Sequence, residues 1–197
     1  KNLMNIIYLH GFKSSALSIK GQQLKQYFLE NSDVKIHLPD LNQQPEQVMQ
    51  GLADLIDSLD DVALVGSSLG GFYATQLVAK YGVPAVLINP AMRPWQLFRD
   101  LFGEGLLPFA VTPEWTLDDA QLDQLEQMAV PFVQDADKIL VLLQQGDEIL
   151  DYREAQRYYS GRQPSSMVIT ESNGNHAMEN FADKIPMAYQ FLSDCIQ

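Results

Sequence analysis

Ser68 lies at the centre of Gly66-Ser67-Ser68-Leu69-Gly70, a G-x-S-x-G pentapeptide that closes the apolar run Val62-Ala63-Leu64-Val65 and opens a helical stretch to about Tyr81. Strand, glycine-flanked serine and helix in that order make a nucleophile elbow. A serine held in so tight a turn needs neighbours without side chains, because a Cβ on either flank would meet the adjacent strand or helix. The turn lifts the Ser68 hydroxyl off the sheet and sets the helix N-terminus, with its free N–H groups, beside it. Ser67 shares the turn but not the position. The alternative is a glycine-rich turn with a solvated serine, and the other residues of the chain must decide between the two.

A serine nucleophile needs a base, and the chain has three histidines, His10, His37 and His176. In this strand–elbow–helix context the triad order along the chain is Ser, acid, His, so only His176 qualifies. It lies in the turn-rich Asn173-Gly174-Asn175-His176-Ala177, after the strand-like Met167-Val168-Ile169-Thr170. The orienting acid is expected just after the preceding strand, where Ile139-Leu140-Val141-Leu142-Leu143 runs into Gln144-Gln145-Gly146-Asp147-Glu148. Asp147 is the first choice, to hold the imidazole in the useful tautomer. Glu148 and Asp151 are rivals, whose other role is that of helix-start carboxylates for a segment beginning near Tyr152; for Asp151 the capping role is favoured.

Near the N-terminus the strand-like Ile6-Ile7-Tyr8-Leu9 enters the His10-Gly11-Phe12 turn. Gly11 lets the backbone bend so that the Phe12 N–H can join the Leu69 N–H in an oxyanion hole. His10 is read as a structural residue that holds this loop by hydrogen bonds, and His37 as a strand residue without chemistry.

Tyr8-Leu9-His10-Gly11-Phe12, Val65 to Thr75 around the elbow, Asn89-Pro90-Ala91, Gly146-Asp147-Glu148 with Asp151-Tyr152-Arg153, and Gly174-Asn175-His176-Ala177 together resemble the α/β-hydrolase superfamily, and within it the small YqiA-type bacterial esterases. The likeness runs along almost the whole chain and is weakest from about Arg93 to Ala136. It implies an ester hydrolase with a triad of Ser68, Asp147 and His176, the residues already reached individually.

Composition sets the frame. The chain has 197 residues, 46% of them hydrophobic, enough for one sizeable core, and a single α/β-hydrolase domain over 1–197 is expected. One cysteine, Cys195, excludes an intramolecular disulfide, and neither a long apolar run nor a signal-like start is present, so a cytoplasmic protein without membrane insertion is expected. A net charge of −12 opposes nucleic acid and biases against anionic substrates. No metal-ligand spacing, G-x-G-x-x-G or P-loop pattern is found, so no metal and no cofactor is expected.

These residues must be positioned by alternating strands and helices, a mainly parallel sheet covered on both faces. Six strands are predicted near Ile6–Leu9, Lys35–Leu38, Val62–Val65, Ala85–Ile88, Ile139–Leu143 and Met167–Thr170. Helices fill the gaps, and the second, with Pro45 in its first turn, carries Val48, Leu52, Leu55, Ile56 and Leu59 on its apolar face. A last helix is predicted from near Pro186, with Tyr189, Leu192 and Ile196 buried. The alternation breaks over about 93–136, which holds Trp95, Leu97, Phe98, Leu101, Phe102, Leu106, Leu107, Phe109 and Trp115 and an acidic amphipathic helix around Leu117 to Met128. Its expected place is a small helical lid over the carboxyl ends of the strands, its aromatics lining an acyl pocket or packing the lid onto the body. The expected chemistry is acyl transfer from a small-molecule ester to water through an acyl-serine. Thioester hydrolysis or acyl transfer to another acceptor would use the same triad, and a binding protein that keeps the fold without catalysis is the alternative of a different class.

Overall fold

The computed structural model of the chain describes residues 3–103 and 105–196. Six parallel strands, β1 (Met4–Leu9), β2 (Val34–His37), β3 (Val62–Ser67), β4 (Ala85–Ile88), β7 (Ile139–Gln144) and β8 (Met167–Glu171), form one sheet in the order β2-β1-β3-β4-β7-β8. Around it lie α1 (Ile19–Tyr27), α2 (Pro45–Asp57), α3 (Leu69–Tyr81), α4 (Pro94–Phe102), α5 (Asp119–Met128), α6 (Tyr152–Tyr159) and α7 (Ile185–Ile196).

The strands are near-continuous apolar runs because both faces of a parallel sheet are covered. Side chains alternate between two cores. Ile7, Leu9, Leu64, Leu87 and Val141 pack with residues of α2 to α6, whereas Ile6, Tyr8, Val65, Ile88 and Leu142 pack with Leu24 of α1 and Ile185, Ala188 and Leu192 of α7. Helix α2 starts on Pro45, whose missing N–H costs nothing in a first turn, and buries Val48, Leu52 and Ile56 at helical spacing. Burying each such side chain is worth about 1.5–3 kcal/mol, which fixes a helix whose Gln44 cap makes no side-chain bond.

Strand order determines where a site can form. β1 has β2 on one side and β3 on the other, so the chain leaves β1 in one direction and builds the rest of the sheet in the other. Connections therefore diverge between β1 and β3 and leave a crevice at their carboxyl ends. Leu9 pairs with Gly66 there, which brings the His10-Gly11-Phe12 turn beside the elbow.

Three expectations need correction. The region from Leu106 to Leu117 is not only helix and loop: β5 (Phe109–Thr112) and β6 (Trp115–Leu117) form an antiparallel hairpin, and α5 starts after Leu117, at Asp119 behind an Asp118 cap. In α7, Tyr189 and Ile196 are half-buried at the margin of the core, and the fully buried positions are Ile185, Ala188 and Leu192, which face its centre. The strands β1, β3, β7 and β8 each run one to two residues beyond the predicted ends, β3 through Ser67. Among the described residues, no helix is long and apolar enough to cross a membrane.

Candidate active site

Ser68 sits between β3 and α3 with φ 55° and ψ −117°, a backbone conformation that side-chain-bearing residues seldom adopt. Holding it costs on the order of 1–3 kcal/mol. The surroundings supply the constraint: the Ser68 N–H donates to the Ile88 carbonyl at 3.0 Å, and the Ser68 carbonyl accepts from Ala91 N–H at 2.9 Å and Phe72 N–H at 3.2 Å. The flanking glycines are steric necessities. A Cβ on Gly66 would lie 2.5 Å from the Gly70 carbonyl oxygen, and one on Gly70 would overlap the Leu9 carbonyl. Gly71, next in line, would meet Pro90 at 2.8 Å.

His176 Nε2 lies 3.0 Å from Ser68 Oγ, and His176 Nδ1 lies 2.9 Å from Asp147 Oδ2. The three residues thus meet, although 108 positions separate Ser68 from His176. The Asp147 side chain is 2% exposed, and its other oxygen, Oδ1, accepts from Ile149 N–H and Leu150 N–H, both at 2.9 Å. Both carboxylate oxygens are therefore committed, one to the loop backbone and one to the imidazole. The rivals fall elsewhere. Asp151 caps α6, accepting from Arg153 N–H at 3.0 Å. Glu148 does not cap a helix: its Oε2 accepts the His176 backbone N–H at 2.9 Å, and that bond holds its carboxyl below the ordinary glutamate range.

The loop that carries His176 is fixed from several directions. Asn89 Nδ2 donates to the Asn175 and His176 carbonyls, each at 3.0 Å, while Asn89 Oδ1 accepts Gln144 N–H at 3.1 Å. Gln144 Oε1 accepts Asn175 N–H at 3.0 Å, and Lys20 donates to the Ala177 carbonyl. Asn89, Gln144 and Lys20 were not identified from sequence. Asn89 carried one signal, its place in Asn89-Pro90-Ala91 at the end of β4; its φ of 40° suits asparagine better than most side chains.

The β1 turn approaches from the other side. A Cβ on Gly11 would be 3.4 Å from Ser68 Cβ, so the backbone before Phe12 lies against the elbow. Phe12 and Leu69, the two expected oxyanion donors, border the same cavity as Ser68 and His176, and Leu69 is the first residue of α3. His10 is buried and holds the turn: Nδ1 donates to the Gly11 carbonyl at 2.8 Å and Nε2 accepts Leu41 N–H at 2.9 Å. Burial lowers its pKa, so the ring stays neutral, as that tautomer requires. His37, in β2, meets Asn5 Oδ1 at 2.9 Å, away from Ser68.

The cavity at Ser68 has a volume of about 380 Å³. One wall comes from α4 through Leu97, Phe98 and Leu101. The Phe12 ring packs on α4 and on β6, with centroids 4.6 Å from Phe98, 6.2 Å from Phe102 and 6.0 Å from Trp115. The aromatics of 93–136 thus divide: Phe98 borders the cavity, Phe102 and Trp115 pack against Phe12, and Trp95 borders a separate cavity with Phe72 and Tyr158. Among the described residues, no group of three or more His, Cys, Asp or Glu side chains is placed to hold a metal ion.

Solved structures share this architecture at low identity. Alpha/beta hydrolase domain-containing protein 10 from mouse is 17% identical, with a TM-score of 0.76 over 98% of this chain and 90% of its own. Est1E from Butyrivibrio proteoclasticus is 15% identical, with a TM-score of 0.72 over 99% of this chain and 89% of its own. An esterase from Pyrococcus furiosus, 12% identical, aligns with a TM-score of 0.66 over 100% of this chain and 84% of its own. The fold is that of the α/β hydrolases. UPF0227 proteins from Yersinia pseudotuberculosis and Yersinia pestis are 26% identical over 185 residues, spanning 90% of this chain and 92% of theirs. The model of the Uncharacterised protein family UPF0227 matches residues 5–193, and the chain belongs to that family.

Proposed function

We propose that the chain is a serine hydrolase of carboxylic esters, a single domain in which residues 93–136 form a lid over the nucleophile. The observation that carries this reading is the chain of contacts from Ser68 Oγ to His176 Nε2 at 3.0 Å and from His176 Nδ1 to Asp147 Oδ2 at 2.9 Å. Ser68 Oγ bonds to the ester carbonyl carbon while its proton passes to His176 Nε2. Asp147 holds the Nδ1 proton and stabilises the imidazolium. The Phe12 and Leu69 N–H groups receive the negative charge on the carbonyl oxygen. The carbon–oxygen bond to the alcohol breaks as His176 returns the proton to the departing oxygen, and water repeats the sequence on the acyl-serine. The low-identity neighbours give support by analogy only: one is an esterase, and Est1E has been seen with ferulic acid bound.

Incubation with a fluorophosphonate followed by peptide mapping, beside a panel of oxygen and sulfur esters, tests the reading. Labelling at Ser68, lost in Ser68→Ala together with ester turnover, is the expected result. An unlabelled Ser68 in a folded protein would leave a binding protein as the better description, and turnover confined to sulfur esters would make the chain a thioesterase.

A further inference from the structure

Resting on the hydrolase reading above, we propose that Lys20, with Tyr8, Ser14 and Ser18, forms a subsite for an anionic group, carboxylate or phosphate, on the leaving alcohol of the ester. Three observations converge. First, the cavity is chemically divided. Leu97, Phe98 and Leu101 form the wall on the α4 side, and Tyr8, Ser14, Ser18 and Lys20 form the wall on the α1 side. Second, although the chain has 25 acidic residues, no Asp or Glu borders this cavity, and Lys20 is its single formal cation among the described residues. Third, Lys20 has no carboxylate partner among the described residues: its ammonium donates to the Ala177 carbonyl, which leaves other protons for a ligand.

Which half of the ester meets this wall follows from the proton transfer. His176 Nε2 must protonate the departing oxygen, so the alcohol lies on the imidazole side of Ser68 and the acyl group on the other. Lys20 binds the carbonyl of Ala177, the residue after His176, and is therefore on the alcohol side. The apolar α4 wall is left for the acyl chain. Burial lowers the Lys20 pKa and pushes the Tyr8 hydroxyl up to about 12, so the wall offers an ammonium and a neutral hydroxyl donor. An anion would relieve the desolvated ammonium. The overall −12 charge points the other way, but its reach is screened beyond roughly 8–10 Å, and contact with Lys20 is shorter than that. Asp147 and Glu148 are already engaged, by the imidazole and loop N–H groups and by the His176 N–H.

The test compares acetates of matched leaving groups: phenol, 3-hydroxybenzoate, 3-hydroxyphenyl phosphate and 3-(trimethylammonio)phenol. In the wild-type protein kcat/KM is expected to favour the anionic esters over phenyl acetate by about five- to tenfold, as for a partly exposed ion pair, with less preference at 0.5 M salt. Lys20→Met abolishes that ratio, Lys20→Arg keeps it, and Lys20→Glu inverts it toward the trimethylammonium ester. A merely structural lysine would change all four esters together. The carboxylate and phosphate arms show which anion fits better. A ratio that moves less than twofold in Lys20→Met overturns the subsite while leaving the hydrolase intact, whereas absence of turnover with all esters and of Ser68 labelling removes both. Because the Lys20 variants could disturb the Ala177 loop, a wild-type measurement stands beside them: 3-hydroxybenzoate should slow fluorophosphonate labelling at concentrations at least fivefold below those of phenol. Equal potency of the two also overturns the proposal.

Discussion

Replacing Asp147 by asparagine tests the proposed mechanism at its most constrained atom. The carboxylate makes three bonds: Oδ1 accepts two backbone N–H groups, from Ile149 and Leu150, and Oδ2 accepts from His176 Nδ1, all at 2.9 Å. An amide has only one oxygen. If that oxygen stays with the two N–H groups, the Nδ2 group faces His176, and the imidazole must accept at Nδ1 and carry its proton at Nε2. It then cannot take a proton from Ser68. If the amide turns round, the useful tautomer returns, but the Ile149 and Leu150 N–H groups lose their acceptor and face a donor, at about 1–3 kcal/mol each. The unreactive arrangement is thus favoured by roughly 2–6 kcal/mol, which corresponds to a fall in kcat of about 30-fold to 10⁴-fold. The upper end is the loss known for the same change in serine proteases.

The same geometry predicts that stability hardly changes, because the favoured amide orientation keeps both loop bonds. Steady-state kinetics and thermal melting of Asp147→Asn, with Asp151→Asn as the comparison, make the check. Asp151 accepts one N–H at the exposed start of α6, so its variant should lose up to about 1 kcal/mol of stability and little kcat. An active Asp147→Asn with an unchanged melt, or a dead Asp151→Asn, would refute the reasoning.

Asn89→Ala strips partners from the Asn175 and His176 carbonyls and from Gln144 N–H, so it should lower both stability, by about 2–4 kcal/mol, and kcat; a normal melt with normal kcat would show the His176 loop to be held otherwise. Glu148→Gln retains an acceptor for His176 N–H and should cost less than threefold in kcat, whereas Glu148→Ala should cost about tenfold with little change in melting, as read by parallel kinetics and melts. Buried His10 has a pKa below the ordinary histidine value, so between that lowered pKa and about 6.5 the unfolded chain binds more protons than the folded one. Its contribution to stability is complete above about pH 6.5 and lost as pH falls through the lowered pKa, and half-buried His37 acts in the same direction. Denaturant melts from pH 7.5 to 5 should therefore show falling stability, with a shallower slope in His10→Gln.

The elbow was legible because its constraint is local: Gly66, Ser68 and Gly70 are fixed by collisions within a few residues of themselves and with Leu9. The place of His176 beside Ser68 was legible for a different reason, that the chain has few histidines and the expected triad order leaves one. The acid was legible only as a neighbourhood, since Asp147, Glu148 and Asp151 share one turn and differ in direction rather than spacing. Only the fold separates a carboxylate that spans two loop N–H groups and an imidazole from one that caps α6 and one that takes the His176 N–H. The β5–β6 hairpin was missed because strands of four and three residues are too short to display a period of two. Asp118, whose side chain caps α5 by accepting Gln121 N–H, was the available sign that the helix begins after Leu117.

Asn89, Gln144 and Lys20 were invisible for a reason that follows from the topology. Each acts on the His176 loop from a strand end or helix start distant in sequence; Gln144 N–H and Asn89 Oδ1 meet across 55 positions, and Lys20 and Ala177 across 157. In a parallel sheet all strands end on the same side, so residues with no common motif converge at one edge. A strand-end asparagine or glutamine reads in sequence as the first polar residue after an apolar run, the same signal a solvated turn gives. The proposed nucleophile is defined by its own turn and can be read from five letters, but the proposed base is held at 3.0 Å from it by groups drawn from the end of β4, β7, α1 and the loop after β7. The proposed chemistry is local in sequence at Ser68 and distributed over the fold at His176.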